Sequence, residues 1–155
     1  MMALPLKASD LPGRITTGVY ILHAGWLKWN ADETRAAAVH DMAAAAFPVL
    51  KGLPPAKFVR LLAMGEIGTG AALLTPLVPT SVAGAALSAF SGSLLAMYAR
   101  TPAMHLPGSI WPSRAGTAVS KDVWMFGIGL GFLIDALTTR APGTQAQDRG
   151  ASSNS

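Results

Sequence analysis

The sequence predicts an all-α protein, a membrane-spanning four-helix bundle with an amphipathic interfacial helix between spans one and two. Hydrophobic residues make up 51% of the 155 residues and charged residues only 13%, whereas a typical soluble domain has about 25% charged residues. The apolar residues are also collected into four runs, each long enough as a helix to cross a hydrocarbon core about 30 Å thick. We therefore expect a multi-pass protein of the cell membrane that has the lipid bilayer as a partner.

The first half of the chain holds one predicted span and one predicted interfacial helix. A short tail, residues 1–10, precedes the first span at about 11–29. This span ends near Trp26 and Lys28, residue types that suit a membrane–water interface. The next stretch, about 31–47, repeats apolar residues at three- and four-residue steps but carries too many charges to cross a membrane. Such a pattern is typical of a helix that lies in the interface.

The remaining spans are predicted at about 58–77, 81–98 and 122–137, so that the membrane domain covers 11–138. The turn between the second and third spans is so short that these two spans must be antiparallel neighbours. The tail, 139–155, is polar with no apolar residue larger than alanine, and it is expected to be disordered.

Two stripes of small residues predict where the third and fourth spans pack. Small residues at every fourth position let membrane helices approach closely. In these two spans the small residues at that spacing are Ser81, Ala85, Ala89, Ser93, Gly127 and Gly131.

The distribution of basic residues bears on membrane orientation. Four spans place both termini on one side, and the loop side then carries eight of the twelve Lys and Arg residues against four on the terminal side. Basic loops tend to stay inside, which favours loops inside and termini outside. However, the predicted interfacial helix supplies part of the excess, so both orientations stay open.

Glu66 is the single acid in the middle of the apolar second span. A charge within a membrane is costly and is usually kept for a function. His23 in the first span is predicted at nearly the same depth, so the two side chains could hydrogen-bond, and Tyr20 lies one turn earlier. A histidine–carboxylate pair could take up and release a proton, as a proton path or a quinol site requires. The alternative is that the pair only locks two helices together.

Two further ion pairs are predicted in structural roles. Arg14 enters the first span and Asp135 leaves the fourth span at the terminal side, where a pair would tie the ends of the bundle. Arg100 and Asp122 are a second candidate pair at the opposite side.

Several function classes are excluded or disfavoured. The chain has no cysteine, which excludes disulfides, thiolate metal sites and cysteine nucleophiles. Two candidate ligands fall short of the usual three or four for a metal, so no metal site is expected. The basic residues are scattered, which favours lipid headgroups over nucleic acid. The sequence lacks the dinucleotide, P-loop and hydrolase motifs. We therefore expect no tightly bound cofactor and favour a non-catalytic subunit over a self-contained enzyme.

A series of short motifs resembles the DoxX family of small four-helix integral membrane proteins. The motifs cover about residues 11–138 and occur in the family's order: Arg14, then His23–Ala24–Gly25 with Lys28, then Gly52–Leu53–Pro54, then Glu66 with Gly68 and Gly70, and finally Lys121–Asp122 before a glycine-rich last helix.

This resemblance implies a function near quinone-linked redox chemistry. It implies an accessory protein or subunit of a membrane redox complex that binds quinone or anchors a membrane or soluble oxidoreductase. Four spans leave little interior volume, so packing alone favours a homo-oligomer or another partner. Two alternatives stay open. One is a small transporter or proton-conducting protein that uses the pair of His23 and Glu66, and the other is a scaffold or assembly factor without chemistry.

Overall fold

The computed structural model describes residues 6–139, which form an all-helical structure. Within this range no β-strand is present, and the single extended pairing is an isolated bridge between His105 and Pro112. The predicted all-α class is therefore confirmed. The C-terminal tail was predicted to be disordered, and its residues from 140 onwards lie outside the described range.

The α-helices are α1 (Leu11–Trp29), α2 (Glu33–Ala46), α3 (Pro55–Leu74), α4 (Thr80–Arg100), α5 (Thr117–Ser120) and α6 (Asp122–Thr139). Short 3-10 helices occupy Ala8–Asp10, Pro48–Gly52 and Pro102–Met104. The long apolar runs thus lie in α1, α3, α4 and α6. The cap of α2 is Asp32, whose carboxylate accepts from the Arg35 amide.

Helices α1 and α3 are antiparallel and pack closely through glycines. A Cβ atom on Gly70 would lie 2.8 Å from the Leu22 amide nitrogen and 2.9 Å from the Gly18 carbonyl oxygen. A Cβ atom on Gly25 would lie 2.9 Å from the Glu66 Cβ. Only glycine permits such contact between two backbones, so these positions set the distance between α1 and α3.

Helices α4 and α6 form a second close antiparallel pair, but not through the predicted stripes. A Cβ atom on Gly84 would lie 2.7 Å from the Phe132 Cβ and 2.9 Å from the Gly129 carbonyl oxygen. Nothing lies within 4 Å of a Cβ atom on Gly127 or Gly131. The packed side of each helix also carries large residues such as Phe132, which small-residue spacing does not take into account.

The α4 stripe is likewise shifted from the prediction. Ala85, Ala89 and Ser93 are exposed, whereas Leu87 and Ser88 are buried. The packing face of α4 is therefore displaced around the helix, because burial of its leucine decides which side turns inward.

Arg14 joins the end of α3 to α1, and it does not pair with Asp135 as predicted. Its side chain is buried, with a residue exposure of 2%. Its guanidinium donates to the carbonyl oxygens of Leu73 at 2.8 Å and Thr75 at 2.9 Å. Further acceptors are the carbonyls of Ala72 and Val78 and the hydroxyl of Thr80.

This correction has a clear physical reason. The last carbonyls of a helix have no intrahelical partner, and the antiparallel packing of α1 on α3 places Arg14 beside those of α3. Asp135 is bound instead by Lys7, at 2.6 Å between Nζ and Oδ2. Both residues of the predicted pair do lie at the terminal side, but each has another partner.

Two helical segments of residues 6–139 are long and apolar enough to cross a membrane. They are α4, with 21 residues, and the segment Thr117–Thr138, with 22 residues. Helices α1 and α3 do not belong to this pair. The four-span topology thus stays a prediction.

Candidate functional site

A cavity of about 440 Å³ lies among α1, α2, α3, α4 and the start of α6. Most of its lining is apolar and includes the side chains of Phe47, Phe58, Leu62, Phe90, Leu94 and Met97. Its polar lining is concentrated on a few side chains, which are Tyr20, Lys28, Glu66, Ser93, Lys121 and Asp122. A cavity with this division can hold an apolar body and a polar head.

Helical spacing in the sequence builds the lining on each side. On α1, Tyr20, Ala24 and Lys28 follow one another at four-residue steps. On α3, Phe58, Leu62 and Glu66 do the same. Because residues four apart lie on one side of a helix, each series presents its side chains to the same space.

Glu66 and Lys28 form a close ion pair at the cavity. The Lys28 Nζ donates to both carboxylate oxygens of Glu66, at 2.7 and 2.9 Å. The Glu66 side chain is 5% exposed and the Lys28 side chain 27% exposed. Two charges this well paired cost much less to bury than either charge alone, so the pair can lie in apolar surroundings.

Asp122 brings a second carboxylate to the same cavity from the start of α6. It is only 5% exposed, and it lies within electrostatic range of Lys121, Glu66 and Lys28. Among residues 6–139, no side chain or backbone group donates a hydrogen bond to this carboxylate. Its oxygens are not among the fully enclosed polar atoms without a partner, which in the described residues are His40 Nδ1 and Ser88 Oγ. The carboxylate is therefore an open acceptor on the cavity wall.

Tyr20 and Lys121 connect α1 with the start of α6 across the cavity. The Lys121 ammonium lies 4.5 Å from the centroid of the Tyr20 ring, and it also donates to the Tyr20 hydroxyl. At the other end of the same two helices, Gly13 packs against Phe132. The contact between Tyr20 and Lys121 thus spans the part of the cavity between α1 and α6, at the opposite end of these helices from Gly13 and Phe132.

The structure brings together two of the three predicted site residues. Tyr20 and Glu66 line one cavity, but His23 is exposed and Glu66 is bound by Lys28. The reason is rotation around the helix. At about 100° per residue, His23 points roughly 140° away from Lys28 on α1. Equal depth therefore did not bring His23 to Glu66.

The predicted pair of Arg100 and Asp122 is also not formed. The Arg100 guanidinium lies over the ring of Phe47, 4.9 Å from its centroid, while Asp122 is part of the cavity. The charged neighbours of Asp122 are Lys121, Glu66 and Lys28 instead of Arg100.

Sequence reasoning missed Lys28, Lys121 and the cavity role of Asp122. For Lys28 a signal was present, because it continues the four-residue series of Tyr20 and Ala24. For Lys121 and Asp122 the signal in the sequence was weaker. They lie at the start of α6, so no earlier residues of that helix show which of its sides faces the cavity.

The four charged groups balance one another. Two ammonium groups and two carboxylates share one end of the cavity, on Lys28, Lys121, Glu66 and Asp122. Such a set offers hydrogen-bond donors and acceptors while adding no net charge. Within residues 6–139, no three His, Asp or Glu side chains form a group that could hold a metal ion. The arrangement can therefore bind a polar, uncharged head group.

Comparisons with known proteins add no relative to this description. A scan against protein-family models, a search of curated proteins and a search of solved structures each found no match. The similarity to the DoxX family is carried by the short motifs alone, and the function is argued from the cavity.

Proposed function

We propose that the protein is a multi-pass membrane protein that binds a quinone in its cavity and acts as an accessory or subunit of a quinone-linked redox complex. The observation that carries this proposal is the cavity itself, which joins a large apolar lining to a compact cluster of donors and acceptors. A quinone has the matching form, a flat apolar ring with polar oxygens and an apolar tail.

The size of the cavity supports a small-molecule ligand. Its volume of about 440 Å³ lies within the range of roughly 300–1,000 Å³ that is usual for such sites. The aromatic side chains Phe47, Phe58 and Phe90 offer a ring the contacts it prefers. Lys121 and Tyr20 supply donors to a carbonyl oxygen at the polar end.

The outward sides of the helices support a place in the bilayer. In α4 and in Thr117–Thr138 only 28% and 17% of the most apolar window is buried, whereas the core helix of a soluble protein would be mostly buried. Large apolar side chains such as Val82 and Ile134 are exposed instead. An exposed apolar surface of this kind indicates contact with lipid or with another protein.

Four spans are favoured over two by the internal pairing of charges on α1 and α3. Arg14 is held by carbonyls at the end of α3, and Lys28 is held by Glu66. Ionisable residues within membranes are usually paired in this way and face the interior. Ile15 of α1 and Leu61 of α3 are exposed on the outer sides, as lipid contact requires.

Exposed tryptophans add an interface on the loop side. Four tryptophans are exposed: Trp26 and Trp29 at the end of α1, Trp111 in the loop between α4 and α5, and Trp124 at the start of α6. Tryptophan is enriched where a membrane meets water, which is consistent with this end of the helices lying at headgroup level.

The similarity to DoxX proteins supports the choice of quinone. Among the residues that carry that similarity, Lys28, Glu66, Lys121 and Asp122 line the cavity. Residues that share a motif and also meet at one site are best explained by a shared ligand. The His23–Glu66 pair, which was predicted to serve either a proton path or a quinol site, is not formed. We place the quinone-linked role ahead of transport because the cavity supplies other polar groups for a quinone.

Purification of the full chain from its own membranes in mild detergent tests this function. Quinone is measured in the lipid extract, and co-purified proteins are identified by mass spectrometry. We expect stoichiometric quinone or a stoichiometric oxidoreductase. The variant Ala24→Trp, which fills the cavity, should lose the quinone, and Ala85→Trp on the exposed side of α4 should retain it.

The contrary result is a homogeneous preparation that carries neither quinone nor oxidoreductase. Proton or solute flux in liposomes containing only this protein would then favour the transport function. Sealed liposomes without flux would favour a scaffold without chemistry.

A further inference from the structure

We propose that the cavity binds the dihydroxy form of its ligand, the quinol, in preference to the dicarbonyl form. The inference rests on the proposed function and adds the redox form that the site selects. It follows from the hydrogen-bonding needs of Asp122 and from the charge balance around it.

The carboxylate of Asp122 has no hydrogen-bond donor among residues 6–139. Asp122 is 5% exposed and lines the cavity. An acceptor that is largely withdrawn from water and has no protein donor is more stable when a bound molecule donates to it. A ligand that presents a hydroxyl hydrogen to this carboxylate provides such a donor, whereas one that presents only lone pairs does not.

The ammonium groups of Lys28 and Lys121 lie within electrostatic range of Asp122 but donate to other acceptors. Two hydrogens of the Lys28 ammonium are directed to the two oxygens of Glu66. Lys121 donates to the Tyr20 hydroxyl. Each ammonium keeps further N–H groups, but among residues 6–139 none of them donates to Asp122, so a ligand hydroxyl or a water can take that place.

The two redox forms of the ligand differ in the hydrogen bonds that they can make. A quinol hydroxyl donates one hydrogen bond and accepts others, so it can donate to Asp122 and accept from Lys121, which has three N–H groups. A quinone carbonyl only accepts. Beside Asp122 its lone pairs would face those of the carboxylate, which disfavours binding.

Ligands with a charged head group fit this end of the cavity poorly. The two ammonium groups and two carboxylates leave no net charge at this end of the cavity. A fatty carboxylate, a lipid phosphate or a cationic head would lose its hydration there without a net electrostatic gain, because attraction by one pair of charges is offset by repulsion from the other. An uncharged head that both donates and accepts fits best.

The test compares three probes on the full chain in lipid nanodiscs at pH 8 under anaerobic conditions. The probes are 2,3-dimethyl-1,4-naphthoquinone, the corresponding quinol, and the dimethyl ether of that quinol, which has no hydroxyl hydrogen. Binding is measured by equilibrium dialysis. We expect the quinol to bind about 10-fold more tightly than the quinone, and the ether to bind no better than the quinone.

The variant Asp122→Asn should bring the ratio of the two affinities close to one, because an amide can donate to a carbonyl as well as accept from a hydroxyl. Asp135→Asn is the matched control, since Asp135 lies at the other end of α6 beside Lys7. It should leave the ratio unchanged.

The outcomes separate this inference from the proposed function. If quinone and quinol bind equally to the unmodified protein, the preference is wrong while quinone binding stands. If no probe binds, the proposed function fails as well. If Asp122→Asn does not fold, the comparison of quinol with its dimethyl ether on the unmodified protein still decides, because equal binding of these two overturns the role of a donated hydrogen.

Discussion

At the scale of single residues, Glu66 is held in an apolar cavity by Lys28. Two hydrogen bonds between charged groups, at 2.7 and 2.9 Å, offset the cost of burying the carboxylate. Removing one partner leaves the other charge without compensation, and this is the more costly change. The two residues should therefore behave as one unit in mutational experiments.

We expect Glu66→Gln to lower the free energy of unfolding by about 3 kcal/mol, at the low end for buried pairs because Lys28 keeps some exposure. Lys28→Gln should cost a similar amount, and the double variant should cost less than the sum of the two. Thermal unfolding in detergent, followed by circular dichroism, measures all three. Strict additivity of the two single changes would contradict the pairing.

Arg14 shows at the same scale how a buried charge can serve structure alone. Its guanidinium satisfies carbonyls at the end of α3 and the hydroxyl of Thr80, which in turn donates to Asp10 at 3.0 Å. Arg14 does not line the cavity described above. A charged residue within an apolar helix is thus not by itself a sign of a site, and its partners decide.

At the scale of the elements, the glycines of α3 differ sharply in what surrounds them. Gly70 faces the backbone of α1 at distances that admit no side chain, while a Cβ atom on Gly68 meets nothing within 4 Å. The two positions lie two residues apart on one helix, so they offer a matched comparison of packing against helix propensity.

Gly70→Ala should destabilise the protein, because the contacts are with the Leu22 nitrogen and the Gly18 oxygen and neither can move without separating the helices. Gly68→Ala should be neutral or should stabilise by up to about 1 kcal/mol, because alanine favours a helix over glycine. Thermal midpoints of both variants in the same detergent test this. An equal effect of the two substitutions would show that α1 and α3 do not pack as described.

The elements also show how far sequence reasoning reaches. The apolar run from Leu11 to Trp29 defines α1 with the bounds that the structure gives, because length and composition are sufficient to mark a helix. They do not give its rotation. Depth alone suggested His23 as the partner of Glu66, whereas the direction of the Tyr20, Ala24 and Lys28 series decides the matter.

The same limit applies to the packing stripes. Gly127 and Gly131 have the spacing of a close-packing motif, but Gly129 is the glycine of α6 that meets Gly84. Spacing identifies several equivalent sides of a helix, and only the large residues of the partner helix select one. For Arg14 and Asp135 the sequence located both residues at the correct end, but it could not foresee that backbone carbonyls and Lys7 would compete for them.

At the scale of the whole molecule, the central question is how many helices cross the membrane. Composition alone selects α4 and Thr117–Thr138. The internal pairing of Arg14 and of Lys28 is the ground on which we propose α1 and α3 as two further spans. In a four-span topology the two ends of α1 lie on opposite sides of the membrane, whereas in a two-span topology they lie on the same side. Chemical labelling of single positions can distinguish the two.

The absence of cysteine from the sequence makes single introduced cysteines specific reporters. Ser9→Cys lies before α1 and Asn30→Cys after it, and both positions are exposed. Leu77→Cys and Ala103→Cys report on the two ends of α4 in the same way. Each variant is labelled with a membrane-impermeant maleimide in intact cells and again after permeabilisation.

With four spans, we expect positions 9 and 77 to react on one side of the membrane and positions 30 and 103 on the other. The unmodified chain, which has no thiol, is the control for background. If positions 9 and 30 react on the same side while 77 and 103 differ, α1 does not cross. The cavity would then lie at the membrane surface, and an apolar ligand would reach it from the headgroup region instead of laterally from the bilayer.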